Sequence, residues 1–405
     1  MAIFSSADAR RAVEHGFDDS VGFLADLVRV PSLLGEEEPA QQLVEARLRD
    51  LGFEIESMVP DSEQLAERPD SGIPLIPYEG RRSLVGTIGE GSGRSLVLNG
   101  HVDVVSAEPV DRWTKEPFGA EVADGRMYGR GSCDMKGGVA AMLLGVEAAL
   151  AAGPLPGWLV YQSVIEEECG GNGALAAVLA GPPADAALIA EPTNGGMDLV
   201  AVGVIWARIV LEADSRHASS ADRGSNPVEA AYPVMQALHG LEAELNSDPE
   251  PEFAGLEQPY LLNVGALHAG DWPSMTPGRA TLDVRLGFPI RMEPAEAQER
   301  LAAAVAAADP VAQVEFRGFR ARGYSFDAES PFVRLLGECH EEVRGVRPRP
   351  DPSRATTDLR FFEGQAVCYG PTGENLHGVD EWVDLESVAD VATVIALLIR
   401  RWGES

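Results

Sequence analysis

Lysine is almost absent from this chain. Only Lys115 and Lys136 occur, so thirty of the 32 basic residues are arginine. Cysteine is scarce too: Cys133, Cys169, Cys339 and Cys368 stand far apart and form no CxxC pair, which argues against a disulfide framework or a cysteine zinc site. No run of about 18 apolar residues exists, so no membrane-spanning helix is expected. The first residues, MAIFSSADARRAVEHGFDD, lack the apolar stretch of a signal peptide, and the expected compartment is the cytoplasm. Basic residues are outnumbered two to one, 32 against 64 acids, giving a formal charge of −32. Such a surface repels phosphate, so nucleic acid is not an expected partner.

What is present describes a folded globule. Hydrophobic residues make up 45% and charged residues 24% of 405 positions, which excludes a disordered chain. The length suits two or three domains, or one large domain with an insertion. Arginine in place of lysine, with abundant Ala and Gly, reads as a GC-rich coding background. An acid-rich surface also suits a high-salt cytoplasm, but coding bias and solubility explain most of these charges.

The first half alternates strand and helix patterns: a helix at 36–50, a strand at 95–105, an Ala-rich helix at 137–152, a strand at 158–165, a helix at 174–180 and a strand at 185–190. This order predicts an α/β fold with a mainly parallel sheet and helices on both faces. The rhythm then changes. Strands at 202–213, 260–268, 279–287 and 312–317, with helices at 226–246 and 293–308, predict a smaller α+β unit of two helices on an antiparallel sheet. The expected division is a first part of the catalytic domain at 1–199, an inserted dimerisation or lid domain at 200–318, and a second catalytic part at 319–405. That last part carries helices near 330–343 and 385–402, and the proline-containing stretch 59–78 is expected to be a loop lining an opening.

Chemistry collects where the apolar strands end. The first ends in His101-Val102-Asp103, the second in Glu166-Glu167-Glu168, the third in Glu191-Pro192-Thr193. Asp134 lies in the glycine-rich GRGSCDMKGG segment and His377 in YGPTGENLHG. Sites in open parallel sheets form outside the carboxyl ends of the strands. Each residue alone has an ordinary explanation: a capped turn, a solvated charge run, a structural histidine. Together, His101, Asp134, Glu168, Glu191 and His377 exceed one tetrahedral site and suit two divalent metals bridged by a carboxylate, with zinc first and cobalt or manganese as alternatives.

The set GHVDVV (100–105), YGRGSCDMKGG (128–138), EEECGGNG (166–173), AEPT (190–193) and ENLHG (374–378) resembles the zinc-dependent aminoacylase and carboxypeptidase family. The acetylornithine deacetylase and succinyl-diaminopimelate desuccinylase branch is the most similar, and the resemblance covers nearly the whole chain. It implies that His101 and Glu191 bind one metal, that Glu168 and His377 bind the other, and that Asp134 bridges them from a cis peptide to Met135. Asp103 would hydrogen-bond the other nitrogen of His101, and Glu167 would be the general base. Glu166 fills the leading acidic position with its role open.

The resemblance also implies that His217 supplies an oxyanion donor across a homodimer, within a pattern that continues to Gly224-Ser225-Asn226; a capping loop with an incidental histidine is the alternative. Arg285 and Arg360, with Asn226, Asn263 and Thr357 as weaker candidates, would anchor the substrate carboxylate. The expected function is removal of an acetyl, succinyl or formyl type of group from an N-acylated amino acid or related amine. The competing reading is a dipeptidase or carboxypeptidase on the same metals. A binding protein on a retired hydrolase fold would have lost a ligand or Glu167, and none is missing.

Overall fold

A computed structural model describes residues 4–89, 91–221 and 226–404. Gly224 and Ser225 of the His217 pattern fall outside the described residues. Among the described residues, no helix is long and apolar enough to cross a membrane.

The central sheet is mixed, with a parallel heart. Its strands follow the order Glu54–Met58, Ser83–Ile88, Gly157–Val164, Gly93–His101, Ala186–Ile189, Ala366–Cys368, Met197–Ala201 and Tyr324–Ser325, with Pro350–Ser353 also paired to Met197–Ala201. The four strands from Gly157–Val164 to Ala366–Cys368 are mutually parallel, and they are buried along almost their whole length. That accounts for their continuous apolar character. From Gly93–His101 the chain crosses through helix Gly137–Ala151 to a strand on one side. It then crosses back through helix Asn172–Ala180 to a strand on the other side. Right-handed crossovers in opposite directions put the two helices on opposite faces. The reversal leaves a crevice at the carboxyl end of Gly93–His101, where His101 stands.

The second sheet is antiparallel throughout, in the order Leu262–Ala269, Arg279–Phe288, Gly203–Glu212, Gln313–Ala321. Helices Pro227–Leu245 and Pro294–Ala308 pack on it and on each other. It has its own apolar core, from Val202 to Ala321, separate from the core around the central sheet. The fold class is therefore the one expected: α/β with a mainly parallel sheet, plus an antiparallel sheet under two helices.

Two features escaped the sequence patterns. Residues Ser6–Arg29 form a 24-residue helix capped by Ser5, whose hydroxyl accepts from the Asp8 amide at 3.2 Å while Asp8 accepts from the Ser5 amide at 3.1 Å. A third sheet pairs Gly373–Glu374, Trp382–Asp384, Arg126–Tyr128 and Glu121–Ala123 in that order, all antiparallel. It sets the His377 loop beside the Asp134 loop. Within 59–78 a short helix, Ser62–Ala66, interrupts the expected loop.

Candidate active site

His101 ends a strand buried on both faces and is 1% exposed. Its Nδ1 lies 2.9 Å from the main-chain oxygen of Asp103, and a carbonyl only accepts, so Nδ1 carries a proton. The other ring nitrogen, Nε2, faces Asp134 Oδ1 at 3.3 Å and Glu191 Oε1 at 3.7 Å. The expected bond from the Asp103 carboxylate to His101 is long, 3.7 Å from Oδ1, because that carboxylate is engaged elsewhere. Its two oxygens accept from the amides of Glu167 and Glu168, each at 3.2 Å. Asp103 thus holds the main chain of the Glu167-Glu168 pair and meets His101 through its own backbone.

Asp134 is shared between the two histidines. Oδ1 points to His101, and Oδ2 lies 3.3 Å from His377 Nε2. That nitrogen is also 3.0 Å from Glu168 Oε2. The arrangement runs Glu191, His101, Asp134, His377, Glu168. The Asp134–Met135 peptide is cis. Candidate ligand atoms of His101, Asp134 and Glu168 lie within 4.8 Å of one another, as do those of His101, Glu167 and Glu191. Burial pushes the carboxyls of Glu167, Glu168 and Glu191 above their usual range, and neighbouring acids add to the shift. Burial works the same way on Asp134, but hydrogen bonds from His101 and His377 hold it below the usual range. Against the cost of burial, the bonds to Asp134 and Glu168 raise His377 to about 11.

These groups fit divalent metal. Imidazole nitrogens aimed at carboxylates need a proton or a cation between them, and N/O donors around one shared carboxylate are a di-metal donor set. Glu167 adds a second sign: it is 6% exposed, and among the described residues its Oε1 has no hydrogen-bond partner.

Glu381 is an acid that the sequence motifs did not single out. It is fully buried, and its carboxylate accepts from the amides of Gly131, Cys133 and Asp134 at 3.0, 3.0 and 3.1 Å while pairing with Arg130 at 2.5 Å. Its place four residues after His377 was the available signal. Asp380, next to it, accepts from the Thr114 amide and hydroxyl, both at 2.8 Å. Asn375, His377 and Asp380 all have left-handed φ values, 61°, 58° and 55°. The flanking acids hold this strained loop in place.

The remaining candidates lie apart from this cluster. His217 is exposed, and its Nδ1 accepts from the Ser219 amide at 3.1 Å; among the described residues no hydrogen bond or ion pair joins it to the cluster. Asn226 caps helix Pro227–Leu245 through the Val228 amide at 3.0 Å. Arg360 is buried, with its guanidinium on the carbonyls of Thr357 at 2.6 Å and Gly170 at 3.0 Å. Thr357 is buried against the hydroxyl of Tyr324 at 2.9 Å. Asn263 and Arg285 do come together, in a cavity of about 370 Å³ on the second sheet that also involves Arg317, Trp206 and Leu75. None of the cluster residues lines it. All four cysteines are buried and free.

The family model described as peptidase family M20/M25/M40 matches residues 97–401, which hold every residue of the cluster. The chain belongs to peptidase family M20/M25/M40. It is an enzyme of this hydrolase family. A curated relative, the succinyl-diaminopimelate desuccinylase of Phenylobacterium zucineum, is 29% identical, over 95% of this chain and 98% of the relative. Among solved structures, human carnosine dipeptidase 1 aligns with a TM-score of 0.81 at 14% identity, covering 99% of this chain and 100% of that one. The M20 family metallo-carboxypeptidase of Sulfolobus solfataricus aligns at 0.76 with 18% identity, covering 95% and 99%. A dinuclear metal-binding M20 peptidase of Bacillus subtilis aligns at 0.61 with 18% identity, covering 96% and 99%. At these identities the solved structures speak for the fold.

Proposed function

We propose that this M20 enzyme removes an acyl group of acetyl, succinyl or formyl type from an N-acylated amino acid or related amine. The observation that carries the reading is one carboxylate, Asp134, divided between two histidines that each face a further acid, with Glu167 beside them, its Oε1 without a hydrogen-bond partner among the described residues. His101 and Glu191 would hold one divalent ion and His377 and Glu168 the other, with Asp134 bridging; zinc suits the donors best, and cobalt or manganese would also serve. Such ions supply the Lewis acidity that polarises an amide carbonyl and makes water acidic near neutral pH.

The chain's own part is proton handling and placement. Glu167 takes a proton from the attacking water and returns it to the amine nitrogen as the amide bond breaks. Asp103, bonded to the amides of residues 167 and 168, fixes the pair. The substrate carboxylate would meet Arg285, whose Nη2 donates to the Arg354 carbonyl at 2.6 Å, with Asn263 beside it in the same cavity.

The same reading treats 200–318 as a domain inserted between catalytic parts 1–199 and 319–405, in a cytoplasmic homodimer. Support for the dimer comes from the edge strand Leu262–Ala269 and from exposed Tyr232 (62%) and Trp272 (65%) on the same sheet's helix and hairpin. His217 would then serve the partner's site.

The test is a panel of N-acetyl, N-succinyl and N-formyl amino acids against dipeptides, with and without chelator. Acyl substrates should be cut faster, and zinc or cobalt should restore chelated enzyme. Faster dipeptide cleavage would replace this reading with a metallo-dipeptidase, and indifference to chelator would remove the mechanism.

A further inference from the structure

Glu166 takes no part in the proton transfers above, yet it occupies an unusual place. Its φ is 66°, in the left-handed region where glycine is the ordinary choice. A glutamate there calls for a reason in its side chain. The residue is fully buried. Oε1 accepts from the Tyr78 hydroxyl at 2.9 Å, and Oε2 lies 3.5 Å from Arg81 Nη1. Arg81 also binds Glu37, with Nε 3.2 Å from Oε2. The main-chain oxygen of Glu166 accepts from the amides of Gly170 at 3.0 Å and Gly171 at 2.7 Å. Side chain and carbonyl together pin the turn 166–171, which carries Glu167 and Glu168.

Tyr78 and Arg81 belong to the segment 68–81, whose other end is fastened to the second sheet. Ile73 and Gly318 exchange two main-chain hydrogen bonds of 2.8 Å. Arg320 donates to the carbonyls of Ser71 at 2.9 Å and Arg68 at 2.8 Å, and to the Ser71 hydroxyl at 2.8 Å. Between the two ends, the Gly72 amide donates to Asn172 Oδ1 at 2.8 Å. Asn172 Nδ2 donates to the Gly72 carbonyl at 3.0 Å and to the Tyr78 hydroxyl at 2.7 Å. The Tyr78 oxygen thus accepts once and donates once, to Glu166. The segment also lies directly on the turn: a Cβ at Gly72 would stand 2.6 Å from the Gly170 carbonyl oxygen. A continuous line of polar contacts runs from Arg320 on the second sheet, through residues 71–73, Asn172 and Tyr78, to Glu166.

We propose that Glu166 and Tyr78 are positioning residues for Glu167, and that segment 68–81 transmits the placement of the second sheet to the turn 166–171. The kinetic consequence rests on Glu167 being the base; the mechanical link does not.

The link is tested by amide hydrogen exchange of the intact, metal-loaded enzyme, in the wild type and in Arg320→Gln and Tyr78→Phe. Both variants should exchange the amides of 166–171 about fivefold or more faster, while strand 93–101 stays protected. Arg320 donates no hydrogen bond to that turn, so faster exchange confined to 68–73 and 313–321 would overturn the link.

The kinetic arm uses Tyr78→Phe and Glu166→Met, which keeps the side chain's length but has no oxygen to accept from Tyr78. Each should lower kcat about tenfold with KM and metal content unchanged, and the double variant should be no worse than the more severe single one, because both remove the same contact. A rise in KM at constant kcat, metal loss that accounts for the whole defect, or additive losses would overturn the positioning role. If the wild type hydrolyses no amide, the hydrolase reading fails while the exchange result still decides the link.

Discussion

Replacing Glu167 by Ala should leave metal content unchanged and lower kcat by roughly 10²–10⁴, the range that general acid–base catalysis contributes. The variant should also melt no lower than the wild type, since it removes a carboxylate that is buried with one oxygen unpartnered. Metal analysis, steady-state rates and a thermal melt check all three. Glu381→Gln is the complementary case. Its carboxylate accepts from three amides and Arg130, and an amide nitrogen in its place would face donors. Breaking such a buried pair costs roughly 3–5 kcal/mol. The expected outcome is a lower melting temperature and weaker metal retention, measured by calorimetry and metal titration. The two residues also differ in how they read from sequence. Glu167 stands where an apolar strand ends, among acids that cannot all be surface charges. Glu381 is one of 64 acids, and only the third sheet, which brings 373–384 beside 126–128, reveals what it holds.

Strand Met197–Ala201 carries a pH-dependent cost. Asp198 pairs in register with Asp351 of strand Pro350–Ser353, and burial, then the Asp351 charge, push its carboxyl up to about 7. A carboxyl raised in the folded state binds its proton more tightly there than in the unfolded chain. Stability therefore falls as pH rises from about 4 to about 7, and the penalty is complete above that. Asp198→Asn should stabilise the protein at pH 8 by up to roughly 4 kcal/mol and by nothing below pH 4. Melting curves at the two pH values check the sign. Other elements show where sequence patterns carry information. The parallel strands and the helix Gly137–Ala151 were legible because full burial writes an unbroken apolar run. Helix Ser6–Arg29 was not singled out, although it carries an apolar stripe that buries Ala9, Val13, Leu24, Leu27 and Val28. Strands of two or three residues, such as Gly373–Glu374 and Arg126–Tyr128, are too short to show any period.

At the scale of the molecule, exposed His217 is the sharpest question. If it completes a neighbour's site, His217→Ala and Glu167→Ala should each be nearly inactive alone, and mixing them equally with subunit exchange should restore about a quarter of wild-type activity, since half of the dimers are hybrids and each hybrid regains one of its two sites. No recovery after exchange, verified by mass, would place the whole site within one chain. If that face joins two copies, sedimentation of Tyr232→Glu, on the exposed face of helix Pro227–Leu245, should show more monomer than the wild type.

The two histidines that share Asp134 also differ in their access to water. His101 is 1% exposed, whereas half of the His377 side chain faces solvent. A chelator approaching from outside meets His377 first, while His101 stays sealed behind the strand that ends in it. If two ions are held as proposed, metal loss should therefore proceed in two steps at separate rates, the ion next to the exposed His377 leaving first. A half-loaded enzyme would then be an isolable species rather than an average of full and empty molecules.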